Sequence, residues 1–398
     1  MLILVINCGS SSLKYQLFNI NHEYKLVAKG IVDRIGMSSG CSITHKPNGK
    51  TEVVLEQLLP DHRAALQTIE EILVHPEYGV IADIKEISGV GHRVVHGGEK
   101  FTRSILINES VIAAIQENAK LAPLHNPPNI LGIEVCQQLL PEVPNVAVFD
   151  TAIHQAMPKK AYLYGLPIEL YEKHGIRKYG FHGTSHGYVA KRAAALMKKP
   201  FEQSKIITCH LGNGCSIAAF GNGKIVDTSM GLTPLEGVVM GTRCGDLDPA
   251  VVLYLMEMLG LSLQETNDLL NKKSGLKGLC GKADMRDIVK LADQGEANAQ
   301  TAIEVFIYRI QKYIGAYAAA LNGTNAIVFT AGIGENSPYL RQEVLSKFDF
   351  LGLKVDIAKN KVNEPIFSTP DSRVYAMMIP TNEELVIAQE TYELITRR

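Results

Sequence analysis

The sequence predicts an α/β protein of two lobes, because a turn motif occurs twice and the order of elements restarts midway. Residues 6–14 and 209–216 each place small Gly, Ser and Asn residues between two apolar segments. Each copy therefore predicts a strand, a tight turn and a second strand. After Asp150 the alternation of strands and helices begins again. We expect one lobe at 1–150 plus 382–398 and another at 151–381.

Composition narrows the class of protein. The chain has 398 residues, of which 46% are hydrophobic and 20% charged, so it can bury a large core. The formal net charge of −1 argues against a nucleic-acid partner, which usually requires a basic surface. The most apolar segment, 251–263, contains Glu257 and is too short to cross a membrane. Seven cysteines without a C-x-x-C pair favour a reduced, cytoplasmic chain.

Apolar spacing and turn residues predict the elements of the first lobe. Short apolar runs bounded by turn residues predict strands, and apolar residues at 66, 69, 72 and 73 predict an amphipathic helix. The expected order is strands at 2–6, 15–18, 26–31, 41–44 and 51–55, a helix at 62–75, a strand at 87–91, a helix at 110–121, a Pro-rich turn at 122–129, a helix at 130–140 and a strand at 146–149.

The second lobe shows clearer helix starts. A helix opens within 179–186 and runs to 199, and strands flank the second turn motif. Asp248 before Pro249 is typical of a helix start, and Ser262 with Glu265 forms a capping box. A long helix at 296–321, a strand at 326–330 and a second capping box at 381–384 follow. We expect the final helix to return to the first lobe.

The two turn motifs are typical of anion binding, since small residues let backbone N–H groups approach a phosphate. Two such turns suggest two lobes that grip one polyphosphate, with Lys14 adding a positive charge, although an ordinary hairpin has the same outline. The P-loop pattern is absent, because residues 275–282 have the wrong spacing. Asn7 and Glu383 are candidate ligands of Mg²⁺, largely through waters. Taken alone, Glu383 suits a first-turn acid that complements the helix dipole better than it suits a metal ligand.

Two arginines lie in glycine-flanked polar loops, Arg93 within 91–98 and Arg243 within 241–245. A guanidinium fork matches carboxylate or phosphoryl oxygens, and a surface ion pair is the simpler alternative. His182 and His186 have helical spacing, but Gly183 stands where a zinc protease motif needs Glu. They are therefore either structural histidines at a helix start or catalytic ones.

Three further segments have both a structural and a functional interpretation. Asp150 ends an apolar strand, where open α/β sheets bind ligands, but a helix N-cap is also possible there. His125 lies in the Pro-rich turn, which suits either a held catalytic side chain or a structural one. Residues 332–336 follow a strand and suit a nucleotide cradle or an ordinary helix start.

Taken together, the motifs resemble the acetate kinase family, in the superfamily of acetate and sugar kinases, heat-shock 70 proteins and actin. The resemblance runs over essentially the whole chain and rests on segments 7–14, 91–98, 125–128, 149–152, 180–186, 210–214, 241–246 and 381–384. It implies a duplicated actin-like ATPase (ribonuclease H-like) fold with a central cleft between the lobes. The first lobe would serve metal, phosphate and acyl substrate, and the second nucleotide binding and homodimer formation.

The resemblance also implies an activity and its residues. The reaction is reversible transfer of the ATP γ-phosphoryl group to acetate, with Mg²⁺ or in its place Mn²⁺, giving ADP and acetyl phosphate. Implied catalytic residues are Arg93, Asp150, His182 and Arg243, and implied metal ligands are Asn7 and Glu383. Implied acetate contacts are Arg93, Val95, Leu124, His125, Phe181 and Pro234. Implied nucleotide contacts are Lys14, His210, Leu211, Gly212, Asn213, Gly214, Asp284, Met285, Arg286, Gly332, Ile333, Gly334, Glu335 and Asn336.

The implied chemistry needs positive charge rather than a base. Acetate is ionised at neutral pH, so it attacks phosphorus without losing a proton. Two unit charges ~4 Å apart repel by about 4 kcal/mol at an effective dielectric near 20. Positioning and charge stabilisation therefore predict direct in-line transfer. The role of Asp150 stays open between orienting Arg93 or a metal-bound water and handling a proton.

Other functions fit parts of the pattern. A propionate or other short-chain acid kinase differs little, since one methylene changes discrimination by only ~1–3 kcal/mol. A pyrophosphate-dependent enzyme is a further variant. An actin-like or heat-shock-like nucleotide switch would keep both turns but has no need of Arg93 and Arg243.

Overall fold

The computed structural model describes residues 1–38, 40–123 and 125–397. The chain divides into two compact units, Met1–Gln155 with Asn382–Arg398, and Ala156–Thr381. Each unit is built around one mixed sheet with helices packed on it.

The sheet of the first unit brings three strand ends to one edge. Its order is β5-β4-β3-β2-β1-β6-β8-β7, with β1, β6 and β8 parallel to one another. Because parallel strands end at the same edge, the residues at the ends of these three strands lie together. The strands are β1 (Leu2–Cys8), β2 (Ser12–Asn19), β3 (Lys25–Asp33), β4 (Cys41–Pro47), β5 (Val53–Gln57), β6 (Ile87–Val94), β7 (Ile105–Leu106) and β8 (Asn145–Phe149). The helices before the unit boundary are α1 (His62–Leu73), α2 (Glu109–Glu117) and α3 (Asn126–Leu139).

The sheet of the second unit repeats the central arrangement of the first. Its order is β11-β10-β9-β12-β13, with a β9–β10 hairpin beside a parallel β12, as the β1–β2 hairpin lies beside β6. Its strands are β9 (Lys205–Leu211), β10 (Cys215–Gly221), β11 (Lys224–Thr228), β12 (Ala326–Thr330) and β13 (Tyr375–Met378). Its helices are α4 (Lys159–Tyr162), α5 (Ile168–His174), α6 (Gly183–Leu196), α7 (Pro249–Glu257), α8 (Leu263–Lys272), α9 (Gly275–Cys280), α10 (Met285–Asp293), α11 (Ala297–Ala320), α12 (Ala331–Asn336), α13 (Pro338–Leu345) and α14 (Ile357–Lys361).

The last helix, α15 (Glu383–Thr396), packs on the sheet of the first unit, as the sequence predicted. Strand β1 shows why both faces of that sheet are covered. Leu2, Leu4 and Ile6 belong to the core cluster under α1 and α3, whereas Ile3 and Val5 join the cluster that contains Ile387 of α15. Alternate residues of a strand point to opposite faces, so a strand that is apolar at every position requires cover on both sides.

The local sequence signals largely hold, with two corrections. Residues 126–129, predicted as a turn, form the first turn of α3, because Pro127 and Pro128 follow Asn126 at the second and third helical positions, where proline is tolerated. The capping box predicted at 381–384 is also wrong. Asn382 is the N-cap and accepts from the Leu385 N–H at 3.1 Å, while the Thr381 hydroxyl donates to Ser185 Oγ. Asp248 and Ser262 do cap their helices as predicted.

Buried His92 in β6 predicts a loss of stability in acid. Its Nε2 lies 2.6 Å from Asn145 Oδ1, and burial lowers its pKa to about 4, from an ordinary value of 6.5. The unfolded chain binds a proton that the folded chain does not, so this contribution is complete above pH 6.5 and is lost as the pH falls toward 4. Between pH 7.5 and 5 we expect His92 to cost about 2 kcal/mol in free energy of unfolding. Urea denaturation of the parent and of His92→Gln measures this, since the variant should lose less stability over that interval. Equal losses in the two proteins would contradict the prediction.

Candidate active site

The first unit places Arg93 against Asp150 at the shared edge of β6 and β8. Arg93 Nη2 donates to Asp150 Oδ2 at 2.6 Å, and Nε lies 3.2 Å from both carboxylate oxygens. The Asp150 side chain is only 2% exposed, whereas that of Arg93 is 22% exposed. The pair is therefore a fork held by a buried carboxylate, with one side of the guanidinium turned toward solvent.

A second carboxylate makes this edge rich in negative charge. Burial acts to lower the pKa of Arg93, but Asp150 and Glu383 outweigh it and raise that pKa above its ordinary value. For Glu383, the first residue of α15, burial is the largest cause of a pKa raised to about 7. Asp150 and Glu384 raise it further, and Arg93 and Lys14 oppose them. Burial therefore disfavours the charged form of Glu383, while three carboxylates and two cations act on one another at this edge.

The first turn motif is anchored from three sides beside these charges. Gly9 N donates to Ser12 O at 2.8 Å, His62 Nε2 lies 2.7 Å from Gly9 O, and Asn129 Nδ2 donates to Cys8 O at 2.7 Å. Asn7 and Lys14 are register partners across the β1–β2 hairpin. Together with Arg93, Asp150 and Glu383, they form what we call the first-unit site.

Two asparagines that the sequence analysis placed in a turn prove to position the loop after β6. Asn129 Oδ1 accepts from Val95 N at 3.1 Å, and Asn126 Oδ1 accepts from His96 N at 3.1 Å. Both asparagines belong to the first turn of α3, and both are buried. His125 precedes this turn and Val95 is 5% exposed, while Leu124 lies outside the described residues.

The second unit gathers His182, His210 and Arg243 around the second turn motif. Gly212 N donates to Gly214 O at 3.1 Å, which closes the turn between β9 and β10. A Cβ atom on Gly214 would lie 3.0 Å from Arg243 Nη2 and 3.4 Å from His182 Cε1. The imidazole rings of His182 and His210 stack with centroids 4.1 Å apart. We call these residues the second-unit site.

His182 adopts a backbone conformation that is uncommon for its residue type. It is the N-cap of α6 and has φ of +56°, in the left-handed region. A non-glycine residue there costs roughly 1–3 kcal/mol and persists only where its surroundings fix it. The imidazole ring of His182 lies beside the glycine turn at Gly214.

Arg243 is a partly buried cation without a carboxylate partner among the described residues. Its Nη1 donates to Pro234 O at 2.8 Å. Burial lowers its pKa from the ordinary value. A guanidinium that is desolvated and not neutralised by the protein is well suited to hold an anion. Phe181, predicted near the same site, is buried.

The loop of Arg243 approaches the turn closely because residue 241 is glycine. Gly241 N donates to Asn213 O at 3.2 Å, and a Cβ atom at 241 would lie only 2.4 Å from Asn213 Oδ1. Any larger residue would push the loop away from the turn.

A cavity of about 800 Å³ in the second unit contains most of the predicted nucleotide contacts. It lies between the glycine turn, the start of α10 and the helix α12. Ala283, Val289, Lys290 and Ser337 were not predicted. The predicted nucleotide contacts that do not line it are Lys14, His210, Leu211, Gly214, Gly334 and Glu335. The lining residues are Gly212, Asn213, Ala283, Asp284, Met285, Arg286, Val289, Lys290, Gly332, Ile333, Asn336 and Ser337.

Two charged residues near the cavity have structural partners. The Glu335 carboxylate accepts from Ala331 N at 2.8 Å and Thr381 N at 3.1 Å. Arg341, which the sequence analysis missed, is 1% exposed and donates to Gly334 O and Glu335 O, both at 2.8 Å. These bonds hold the short helix α12, and with it Gly332 and Ile333, at the cavity wall.

Among the described residues, the structure shows neither a cluster of metal-ligating side chains nor a membrane-spanning helix. Within residues 1–38, 40–123 and 125–397, no group of three or more His, Cys, Asp or Glu side chains is arranged to hold a metal ion. None of the helices described above combines the length and the hydropathy required to cross a bilayer.

Comparisons with known proteins give one family. The model of the acetokinase family matches residues 2–389. An acetate kinase of Carboxydothermus hydrogenoformans is 56% identical over 400 residues, and the alignment covers 100% of this chain and 100% of that protein. The crystal structure of acetate kinase from Porphyromonas gingivalis superposes with a TM-score of 0.94 at 44% identity, over 99% of this chain and 100% of that one. A propionate kinase from Francisella tularensis subsp. tularensis gives 0.93 at 44% identity, over 99% of both chains.

Proposed function

The chain belongs to the acetokinase family, and from this premise we propose that it transfers the γ-phosphoryl group of ATP reversibly to acetate. The products are ADP and acetyl phosphate. The observation that carries this proposal is the second-unit site, where Arg243 lies beside a glycine turn that opens on a cavity of about 800 Å³. That arrangement suits a polyphosphate with its nucleoside in the cavity.

The protein's task in this reaction is to bring anions together. The acetate carboxylate attacks directly, so no residue needs to remove a proton from it. Arg93 Nη1 takes no part in the pair with Asp150, and we assign it to the acetate carboxylate. Arg243 Nη2 and the Nε2 atoms of His182 and His210 are assigned to phosphoryl oxygens, where charge spreads in the transition state.

We assign to Asp150 the orientation of Arg93. Its carboxylate is buried and accepts both ends of the fork, which fixes the plane of the guanidinium.

Mg²⁺ suits the first-unit site, for which we propose Asn7 and Glu383 as ligands, with Mn²⁺ able to substitute. The Glu383 carboxylate and the Asn7 amide supply the oxygen ligands that Mg²⁺ prefers, and Asp150 and Glu384 lie close enough to add negative charge around Glu383. The ion would offset the charge of the departing phosphates. Lys14, the register partner of Asn7, would contact the same phosphates.

We also propose an oligomeric state and a cellular location. The protein would form a homodimer through the second unit, where α7 and the segment up to α8 expose large apolar side chains, including Leu253 (58%), Met258 (68%) and Leu263 (74%). We propose a cytoplasmic location, since the seven cysteines are all unpaired thiols.

Acid preference tests the proposed function directly. We expect kcat/KM to fall about 10-fold or more for each methylene from acetate to propionate to butyrate, because Val95 limits the acyl pocket. Hydroxylamine trapping of the acyl phosphate measures all three acids with ATP, and with pyrophosphate as the alternative donor. Val95→Ala should reduce the preference for acetate over propionate and butyrate. Val94→Ala, a buried valine in the core cluster with Phe101 and Phe149, should not.

The assay also separates the other candidates. A propionate preference in the parent would favour the activity named for the Francisella relative. ATP turnover without any dependence on a carboxylic acid would contradict the proposed function altogether.

A further inference from the structure

Arg243 belongs to a long loop that closes on itself. The loop joins β11 to α7 over residues 229–248, and we call it the Arg243 loop. Gly237 N donates to Asp246 Oδ1, and Asp246 N donates to Gly237 O, both at 2.8 Å. These two bonds form a neck that joins the ends of residues 238–245, the part of the loop that carries Arg243.

The neck is tight because residue 245 is glycine. Gly245 has φ of +69°, and a Cβ atom there would lie 2.5 Å from Gly237 O. A larger residue would strain its own backbone and push the two sides of the neck apart. The position of Arg243, two residues before Gly245, therefore depends on how the neck is held.

The long helix α11 holds the neck through a tyrosine. Tyr313 Oη donates to Asp246 Oδ2 at 2.6 Å, so both carboxylate oxygens of Asp246 are engaged. Burial and the bond to Asp246 raise the pKa of Tyr313 above its ordinary value, so the hydroxyl keeps its proton and remains a donor. Helix α11 packs on α9, α10 and β10, and its core side carries the fully buried Phe306, Ile310 and Ile314. The neck is thus tied to a rigid element of the second unit.

A second tyrosine holds the part of the loop that anchors the guanidinium. Arg243 Nη1 donates to Pro234 O at 2.8 Å. On either side of Pro234, Tyr164 Oη accepts from Leu232 N at 2.9 Å and donates to the Glu236 carboxylate. The anchor of the guanidinium is therefore fixed from the segment between α4 and α5, outside the loop.

Both tyrosines act away from the nucleotide cavity. The described residues that line it include neither Tyr164 nor Tyr313. Their bonds end on the Arg243 loop, and that loop presents Arg243 Nη2 to the glycine turn at Gly214. Loss of either hydroxyl is therefore expected to displace the arginine and to leave the cavity intact.

We propose that Tyr164 and Tyr313 are positioning residues that hold the Arg243 guanidinium at the place where it meets a phosphoryl oxygen. This inference rests on the proposed function, in which Arg243 Nη2 contacts the migrating group. A displaced group costs turnover, since stabilisation of the transition state requires a fixed geometry.

Replacing each tyrosine by phenylalanine removes the hydroxyl and keeps the ring. We expect Tyr313→Phe and Tyr164→Phe each to lower kcat about 10-fold or more, with the KM for ATP within about twofold of the parent's. Initial rates of ADP formation at saturating acetate and varied ATP measure both quantities. A kcat within twofold of the parent's in either variant, or a loss confined to KM, would overturn the proposal.

Tyr317→Phe is the matched control. Tyr317 lies about one turn further along α11, is 3% exposed and meets the ring of Tyr313 edge-on. Its hydroxyl has no hydrogen-bond partner among the described residues. This variant should keep the kcat of the parent. A loss as large as that in Tyr313→Phe would overturn the proposal, since any change in this part of the helix would then suffice.

A double-mutant cycle with Arg243→Lys tests whether the tyrosine acts through the arginine. In that background Tyr313→Phe should cost less than about twofold in kcat, because the fork that it positions is already gone. Losses that multiply would overturn the proposal, because the hydroxyl would then act by another route.

A measurement of loop order does not depend on turnover. Amide hydrogen exchange, followed by mass spectrometry on peptides that cover residues 237–246, reports on the bonds of the neck. Exchange should be several-fold faster in Tyr313→Phe than in the parent and unchanged in Tyr317→Phe. Equal exchange in the parent and in Tyr313→Phe would overturn the proposal, whereas a parent that lacks acetate-dependent ADP formation refutes the proposed function separately.

Discussion

Arg243→Lys is expected to lower kcat about 10³-fold while the KM for ATP stays within a few fold. The Arg243 guanidinium is tied through Nη1 to Pro234 O, and its Nη2 lies against the glycine turn at 214. An ammonium is a single point of charge, so it cannot keep the anchor and reach a phosphoryl oxygen at once. Arginines that stabilise phosphoryl transfer in this way contribute roughly 10³–10⁵ in kcat.

Initial rates of ADP formation at saturating acetate test this expectation. Arg192→Lys serves as the control, because Arg192 is an exposed arginine of α6 in the same unit and should tolerate the change. Near-parental turnover in Arg243→Lys would show that positive charge alone suffices and that the fork has no role.

Asp150→Asn is expected to lower kcat about 10²-fold and to leave nucleotide affinity unchanged. Asparagine keeps the size of the side chain but offers one acceptor oxygen where the Arg93 fork now contacts two. The Arg93 guanidinium then loses its fixed plane, so the acetate that it binds is misplaced and kcat falls. Nucleotide affinity is unchanged, because the nucleotide is bound by other residues. Calorimetric titration with ADP and a steady-state assay measure the two quantities.

A double-mutant cycle with Arg93→Lys separates the two roles considered for Asp150. If Asp150 acts by orienting Arg93, its replacement should cost little once the fork is gone. If Asp150 transfers a proton, the two losses should multiply. Independent losses would therefore contradict the orienting role, and parental kcat in Asp150→Asn would remove the residue from the mechanism.

Much of the fold could be predicted because its signals are local. The two glycine turns, the apolar run before Asp150 and the capping residues Asp248 and Ser262 each act within a few positions of the chain. The β10–β11 hairpin carried such a signal as well, since Asn222 and Gly223 both have positive φ. That pair is typical of a type I′ turn, so the sequence alone also indicates this hairpin.

The residues that position the sites could not be predicted, because their partners are distant in the chain. Asn129 bonds Cys8 O, 121 positions away, and Ser216 lies 34 positions from His182. Arg341 resembles any surface arginine in sequence, yet it is buried and donates to carbonyl oxygens of α12. The sequence shows the helical spacing of His182 and His186, but not the Ser216 hydroxyl that lies between them.

The central claim is that fixed positive charge lets the acceptor carboxylate attack phosphorus directly, with no phosphorylated enzyme between. Exchange of label between ADP and ATP tests it, using enzyme freed of acetate and any other carboxylic acid. The account predicts no exchange until acetate is added, because the phosphoryl group has nowhere else to go. Rapid exchange in the absence of any acid would contradict it.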